Sequence, residues 1–470
     1  MSQRITIIGG GPGGYTAAFA AVKAGAQVTL IEADRMGGTC LNSGCIPTKA
    51  LKASAEALET AQRLSEFGIA GGSEARPDIP AIIARKDKVS QVLRGGLEKT
   101  CAKLKITLLQ GRGEVVSASL VRVHLADGSV QEVPGDKVIL ATGSQTLNIP
   151  SLPVDHKYII TSDDALELQT LPERLLVVGG GVIGCELAFI FQVLGSKVTV
   201  VEGLDRILPV PSIDADLSKL IQREMKKRGI GFALARTATK AQVIDHKVVV
   251  TLGPSPFVQE LPASAQKESV VEADMVLVAV GRVPNTAGLG LAEAGVETDQ
   301  RGWIKVDDHL QTSIPGIYAV GDVLGPTKIM LAHVAATEGL IAVENCLGVS
   351  KTMDYSVVPS AVFTFPEVAT VGLTEVQARD QGYNVTCQQS LFRELGKAQA
   401  MGELPGLFKL IVDADTGKLL GAHLAGAHVS DIIAEPTLAL ELGATITDLA
   451  NTIHAHPTLA EGIWETAHLF

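Results

Sequence analysis

Aromatic residues are scarce in this sequence, with Phe, Tyr and Trp together making up 4 % of it. Single-stranded nucleic acid is held on stacked aromatic faces, so that class of partner is not expected. Positive charge is short as well: 40 Lys and Arg stand against 51 Asp and Glu, a formal net charge of −11. Non-specific nucleic-acid binding rests on Lys and Arg neutralising phosphates, which an acidic chain is poorly built to do. No uninterrupted apolar run reaches the ~18–20 residues of a membrane-crossing helix, so no membrane span is expected. The start, MSQR, runs straight into a strand and a Gly-rich turn with no charged–apolar–small cleavage pattern. No signal peptide is therefore expected, and the location expected is cytoplasmic. Cysteines number six, at 40, 45, 101, 185, 346 and 387. That is too sparse for a disulfide framework, and in a reducing compartment a closely spaced pair reads as catalytic or metal-binding.

Gly, by contrast, is plentiful, at 48 of 470 residues, which suits an α/β protein with many tight strand–helix turns. The length allows about three domains. Residues 73–110 read as helix, with a charged solvent stripe that includes Arg85, Lys86 and Lys88. Residues 106–140 alternate like strands around a turn at Asp127–Gly128, and 253–269 reads as a surface loop. Beyond 345–356 the pattern changes. Strands at 407–412 and 419–424 flank a turn at Asp415–Gly417, and helix-like stretches run over 431–443 and from 458 onward. This is expected to be a separate α+β unit.

The strongest organising signal is an internal repeat. Residues 5–32 (ITIIGGGPGGYTAAFAAVKAGAQVTLIE) and 175–202 (LLVVGGGVIGCELAFIFQVLGSKVTVVE) align without a gap at an offset of 170. Each has an apolar strand, a G-x-G-x-x-G turn, a helix-period stretch, a second strand and a terminal Glu. In such a unit the first Gly permits the tight turn, the second lets backbone approach a pyrophosphate, and the third lets helix pack closely on strand. The pyrophosphate rests on the helix N-terminus, and the terminal carboxylate takes ribose hydroxyls. Gly9, Gly11, Gly14 and Glu32 form one set; Gly179, Gly181, Gly184 and Glu202 form the other. Two dinucleotides are therefore expected. At the second site, Glu202 welcomes a free 2′-hydroxyl and repels a 2′-phosphate, which favours NAD over NADP.

The segment 37–49, GGTCLNSGCIPTK, holds Cys40 and Cys45. Positions five apart in an ideal helix have Cα atoms roughly 8–9 Å apart, whereas a disulfide needs less than about 7 Å. If the pair bonds, the segment is distorted, which Gly37, Gly38 and Gly44 permit. A thiol at a helix start has its pKa lowered. Zinc is the competing use, but no second Cys pair or nearby His completes four ligands.

GGTCLNSGCIPTK after a flavin-type βαβ unit resembles the redox-active signature of the class I pyridine-nucleotide–disulfide oxidoreductases. The resemblance runs over nearly the whole chain: ATGS at 141–144, GRVPNT at 281–286, TSIPGIYAVGD at 312–322, LAH at 331–333, VFTFPE at 362–367 and HAHPTLAE at 454–461. It implies two Rossmann-like domains binding FAD and NAD, the second inserted in the first, followed by a C-terminal α+β dimerisation domain. The boundaries expected are 1–149 with 281–350 for FAD, 150–280 for NAD, and 351–470 for the interface. It implies Glu32 on the adenosine ribose of FAD, Lys49 near the flavin and paired with Glu186, and Asp322 on the ribityl chain. Met330, Leu331, Ala332 and His333 would pass close to the flavin, and Gly113, Thr142, Gly143, Ser144 and Gly281 would border the cofactors. His456 would be the acid–base group, oriented by Glu461 and supplied across a homodimer interface. Otherwise, His454 and His456 read as a polar turn or a metal pair.

Within the family, the motifs fit best the members that oxidise a dihydrolipoyl dithiol with NAD⁺. The substrate would then be a lipoyl-carrying protein, and a multienzyme complex is one setting the resemblance allows. The late cysteine pair of mercuric reductase is lacking, and Glu202 argues against the NADP grip of glutathione reductase. An NADH-dependent reductase of another small disulfide is the alternative, and a non-catalytic docking subunit a more distant one. Two departures stand out: Val-Pro-Ser-Ile within 203–217, expected at the rim of the NAD site, and Trp464, expected at the dithiol channel.

Overall fold

The structure is a computed structural model that describes residues 2–470. Its first sheet has five parallel strands in the order Ile317–Ala319, Lys137–Leu140, Arg4–Ile8, Gln27–Glu32 and Thr107–Gln110. The second repeats the plan with Gly231–Leu234, Lys197–Glu202, Arg174–Val178, Met275–Val278 and Ile159–Thr161. The sequence repeat survives to single pairings. Ile5 faces Val28 and Ile8 faces Ile31 in the first sheet, as Leu175 faces Val198 and Val178 faces Val201 in the second. Because Ile317–Ala319 closes the first sheet after the second is complete, the second Rossmann-like unit is inserted in the first.

The central strands Arg4–Ile8 and Arg174–Val178 are buried on both faces, which is why they read as continuous Ile, Leu and Val rather than as alternation. The helix Val182–Leu194 is buried nearly all round, Gly184 to Phe191 without a break. The third unit is a five-stranded antiparallel sheet, Ser360–Val362, Glu367–Gly372, Leu419–Gly426, Leu407–Asp413 and Val385–Leu391, carrying short helices. Antiparallel three-stranded sheets, 112–134 and 236–273, lie outside these layers. Among the described residues no helix is long and apolar enough to cross a membrane.

The long helix reads shorter than its sequence pattern. It spans Ile79–Lys103, because Asp78 caps its start by accepting from Ala81 N, and the chain then turns at Lys105 (φ 57°) into the edge strand Thr107–Gln110. Lys86 is not part of a solvated stripe. It is 1 % exposed, its ammonium 2.7 Å from Asp87 and also paired with Glu167, because this face of the helix packs on the second unit. The Val-Pro-Ser-Ile segment lies against more than a rim. Asp214 caps the helix Ala215–Lys227, and buried Lys409 of the third unit reaches Asp214 at 3.1 Å, and Asp216 and Glu375 at 2.9 Å.

Candidate active site

The two Gly-rich turns show the geometry their spacing requires. Gly9 and Gly179 have φ of 107° and 111°, and a Cβ on either would overlap the carbonyl oxygen of Ala141 or Ala279. A Cβ on Gly14 or Gly184 would overlap the carbonyl of Gly9 or Gly179, so the helices Pro12–Lys23 and Val182–Leu194 press directly on their turns. Gly11 and Gly181 face space: nothing lies within 4 Å of a Cβ on Gly181, and only Gly38 Cα, at 3.8 Å, near one on Gly11. A pyrophosphate fits there, on the N-terminus of each helix. Glu32 accepts from Gly10 N at 2.7 Å and Asp34 N at 2.8 Å; Glu202 accepts from Gly180 N at 2.6 Å and Leu204 N at 2.8 Å. Each carboxylate is thus held at its strand tip with lone pairs left over for hydroxyls.

The cysteines occupy the distortion that the spacing demanded. Helix Gly38–Asn42 ends at Ser43, Gly44 leaves the helical region (φ −141°, ψ −112°), and a new helix, Cys45–Gln62, begins on the second sulfur. Cys40 and Cys45 are free thiols, and each is the largest influence on the other's titration. The Cys45 thiol is pulled down to about 7 by the hydrogen bond from Cys40 and by the Lys49 ammonium, against burial and the Glu186 carboxylate. Cys40 is pushed up by that same bond and by burial. One turn along, Lys49 Nζ pairs with Glu186 at 2.9 and 3.1 Å and lies 4.1 Å from the centre of the Phe363 ring. Phe363 N in turn donates to Glu186 at 2.9 Å. The sulfur and lysine of the first unit, the glutamate of the second and Phe363 of the third are thereby brought together.

The remaining residues expected beside the flavin come from several separate segments. Ser144–Thr146 pairs antiparallel with Arg282–Pro284, which sets Gly143 opposite Asn285 and Gly281 opposite Leu147, and Ser144 Oγ donates to Asp322 at 2.7 Å. Thr142 Oγ1 is buried with no partner in the protein, an orphan that a bound FAD would satisfy. Gly113 packs under the first strand, where a Cβ would meet Ile8 at 2.9 Å. Met330 and Leu331 lead into the helix Ala332–Cys346, and His333 Nε2 lies 2.8 Å from the Pro359 carbonyl, tying that turn to the third unit. The open Gly11 face, the orphan Thr142 hydroxyl and the tethered carboxylates fit FAD at the first turn; the matching cradle at Glu202 fits NAD.

Four residues of this site carry no role in the motifs as read. Arg282 bonds Ser144 Oγ at 2.6 Å and its carbonyl at 2.7 Å, and Asn285 bonds the Thr142 carbonyl at 3.1 Å. Both sit inside GRVPNT, which is the signal that could have found them. Burial raises the Asp163 carboxyl, against Arg282, Ser162 and the hydroxyl of Ser43, which lies between the two cysteines. Glu338, 1 % exposed, accepts from Gly321 N and Tyr355 Oη at 2.6 Å each, and burial pushes its carboxyl up to about 7. Nothing in a sequence pattern distinguishes these two from ordinary helix carboxylates.

The His–Glu pair is formed, but apart. His456 Nδ1 lies 2.8 Å from Glu461, whose other oxygen accepts from Thr458 N at 2.7 Å. Those partners hold the Glu461 carboxyl below its ordinary value, the backbone N–H most strongly. The His456 side chain is 77 % exposed, whereas His454 is buried on Glu435 at 3.0 Å. Among the described residues no hydrogen bond joins His456 to the cysteine pair of its own chain, and no cluster of side chains suits a metal ion. Trp464 lies against His468, ring centres 4.2 Å apart and planes tilted by 49°, on the surface of the last helix.

Comparison with known proteins bears on this arrangement. The family model described as pyridine nucleotide-disulphide oxidoreductase matches residues 3–339, and that of the same family's dimerisation domain matches 358–467. The chain is 40 % identical over 465 residues to a dihydrolipoyl dehydrogenase of Chlamydia muridarum, covering 98 % of this chain and 95 % of that one. It is 39 % identical to the mitochondrial dihydrolipoyl dehydrogenase 1 of Arabidopsis thaliana, covering 98 % and 89 %. Among solved structures, LpdA of Mycobacterium tuberculosis superposes with a TM-score of 0.90 at 29 % identity, covering 99 % of each chain. The HOCl-induced flavoprotein disulfide reductase RclA of Escherichia coli superposes with 0.85 at 29 %, again over 99 % of each.

Proposed function

The chain belongs to the pyridine nucleotide-disulphide oxidoreductase family, and from that premise we propose that it carries out the dihydrolipoyl dehydrogenase reaction. It oxidises the dihydrolipoyl group of a carrier protein to the disulfide and reduces NAD⁺ to NADH. The observation that carries this reading is the polarised sulfur pair: Cys45 starts a helix beside Lys49, and Cys40 lies ahead of the break. A thiolate leaves a disulfide more readily the lower its pKa, so an incoming thiolate attacks Cys40 and expels Cys45.

The division is residues 1–149 with 281–350 for FAD, 150–280 for NAD, and 351–470 for the interface of a homodimer working in the cytoplasm. FAD is held by Gly9, Gly11, Gly14, Glu32, Gly113, Thr142, Gly143, Ser144, Gly281, Asp322 and the Met330–His333 turn. NAD⁺ is held by Gly179, Gly181, Gly184 and Glu202. When bound, FAD supplies the two-electron relay from the thiols to NAD⁺.

His456 of the partner subunit removes the proton from the attacking thiol. Glu461 fixes Nδ1 as the protonated ring nitrogen, which leaves Nε2 as the base. The substrate sulfur then bonds Cys40 as the Cys40–Cys45 bond breaks. The second substrate thiol, deprotonated in turn, displaces Cys40 and closes the lipoyl disulfide. Two electrons and two protons have then passed to the protein, balancing one dithiol against one disulfide. Lys49, neutralised on its far side by Glu186, stabilises the Cys45 thiolate.

Purified Cys45→Ser should remain yellow with bound flavin and lose NAD⁺ reduction by dihydrolipoamide altogether. Turnover near that of the unaltered protein would remove the scheme.

A further inference from the structure

The loop between the strands Lys247–Pro254 and Ser269–Ala273 carries Phe257, which is 69 % exposed in a chain with only 11 Phe. A ring left that open gives up most of the stabilisation its burial would bring, and its surroundings in sequence (GPSPFVQELP) are otherwise turn-forming. It is nonetheless held in one place. Phe257 N donates to Ser255 Oγ at 3.2 Å, and Ser255 N to the Ala235 carbonyl at 3.0 Å. Ala235 N donates to the Leu204 carbonyl at 2.8 Å, and Leu204 N to Glu202 at 2.8 Å. The chain of bonds ends on the carboxylate that takes the adenosine ribose. The ring lies over the next residue: a Cβ on Gly203 would come within 3.1 Å of Phe257 Cδ2 and 3.6 Å of Thr237 Cγ2.

Once Glu202 holds the ribose and Gly181 the pyrophosphate, the base points away from the pyrophosphate, past the strand tip, toward Gly203. We propose that Phe257 is the stacking platform for the adenine ring of the nicotinamide dinucleotide, and so a residue that sets the preference for an adenine-bearing cofactor. The inference rests on the NAD⁺ reading of the second turn. Stacking on one face covers the exposed ring and needs no hydrogen-bond code. Gly203, lacking a side chain, lets the ring settle against the strand tip on one side and leaves its other side open for the base; a side chain there would push the ring away.

The test compares Phe257→Leu, which keeps an apolar contact on Gly203 without a π face, with Phe257→Tyr, which keeps the face. Calorimetry with ADP-ribose should show binding to Phe257→Leu weakened about fivefold, the low end of base–aromatic stacking, and restored in Phe257→Tyr. In lipoamide reduction, the preference for NADH over reduced nicotinamide mononucleotide, measured as the ratio of their kcat/KM values, should fall by about the same factor. Equal ADP-ribose affinity in Phe257→Leu and the unaltered protein overturns the platform while leaving the NAD⁺ site in place. Equal losses for both nicotinamide compounds assign the ring to loop packing and overturn it too. Failure of the unaltered protein to bind ADP-ribose removes the dinucleotide reading of the second turn, and the platform with it.

Discussion

In the first Gly-rich turn the Gly10 carbonyl accepts from Gly37 N at 2.8 Å, and in the second the Gly180 carbonyl accepts from Leu208 N at 2.7 Å. The cradles are built alike up to that bond and diverge in what is tethered by it. The first holds the segment that runs into both cysteines, with Gly38 above Gly11 and Met36 against Gly10. The second holds a segment that runs on to Asp214 and is fastened by Lys409 to the third unit, while Gly181 stays uncovered. One architecture thus yields a roofed site suited to a resident cofactor and an open one suited to a cofactor that must come and go. The phosphate-binding turn does not decide which; the next residues of chain do.

The sharpest way to break the comparison is to put a carboxylate into each pyrophosphate space. Gly11→Asp should yield colourless protein without flavin, read by its absorbance at purification. Gly181→Asp should stay yellow and still accept electrons from dihydrolipoamide, with NAD⁺ reduction down by two orders of magnitude or more. Identical behaviour of the two variants would erase the assignment of cofactors to turns.

A narrower probe is Glu202→Gln. It keeps one acceptor for the backbone and removes the charge, so kcat/KM for NAD⁺ should drop about tenfold or more, as for a hydrogen bond to a charged group at ~1.5–3 kcal/mol. Discrimination against NADP⁺ should shrink with it.

Glu338 sharpens the comparison by underpinning only the first site. Its folded pKa of about 7 exceeds the ordinary 4.5, so the folded protein binds the extra proton between these values. Stability from this group is therefore full below about 4.5 and lost as pH rises through 7. Between pH 5 and 7 the loss should be about 2 kcal/mol. Glu338→Gln should flatten that part of the curve in chemical denaturation at a series of pH values.

The smallest effect expected concerns Lys49. Alkylation of the reduced protein by iodoacetamide should show a midpoint near pH 7 for Cys45, the value to which its neighbours bring it. Lys49→Met should raise it by about one pH unit, since the nearby ammonium favours the thiolate.

Much of this could be seen in the residues alone, for identifiable reasons. The repeat was legible because close backbone approach at Gly9 or Gly14 admits no other residue, and the break at Gly44 because two sulfurs five positions apart cannot meet on a regular helix. Pairings set by tertiary packing were not. Lys86 belongs by pattern on a wet helix face and is buried on the second unit. Asp163 reaches Ser43 across more than a hundred residues, and Arg282 reaches Ser144 across 138. Asp214, just after the Val-Pro-Ser-Ile segment, pairs with Lys409 nearly two hundred residues away. His456 and Glu461 were legible as a pair because five residues separate them, whereas their distance from the cysteines depends on a fold no local spacing encodes.

The helix Cys45–Gln62 has one further consequence. Its first turn presents the sulfur and Lys49, while Leu51, Ala55 and Leu58, farther along, are packed into the same core as the inner helix of the second unit. The chemistry at one end is thus rigidly coupled to the solidity of the neighbouring unit at the other. Trimming Leu58 would loosen the seat of the helix without touching either thiol, and the midpoint potential of the sulfur pair would then register, as a strain gauge does, how firmly two parts of the molecule are pressed together.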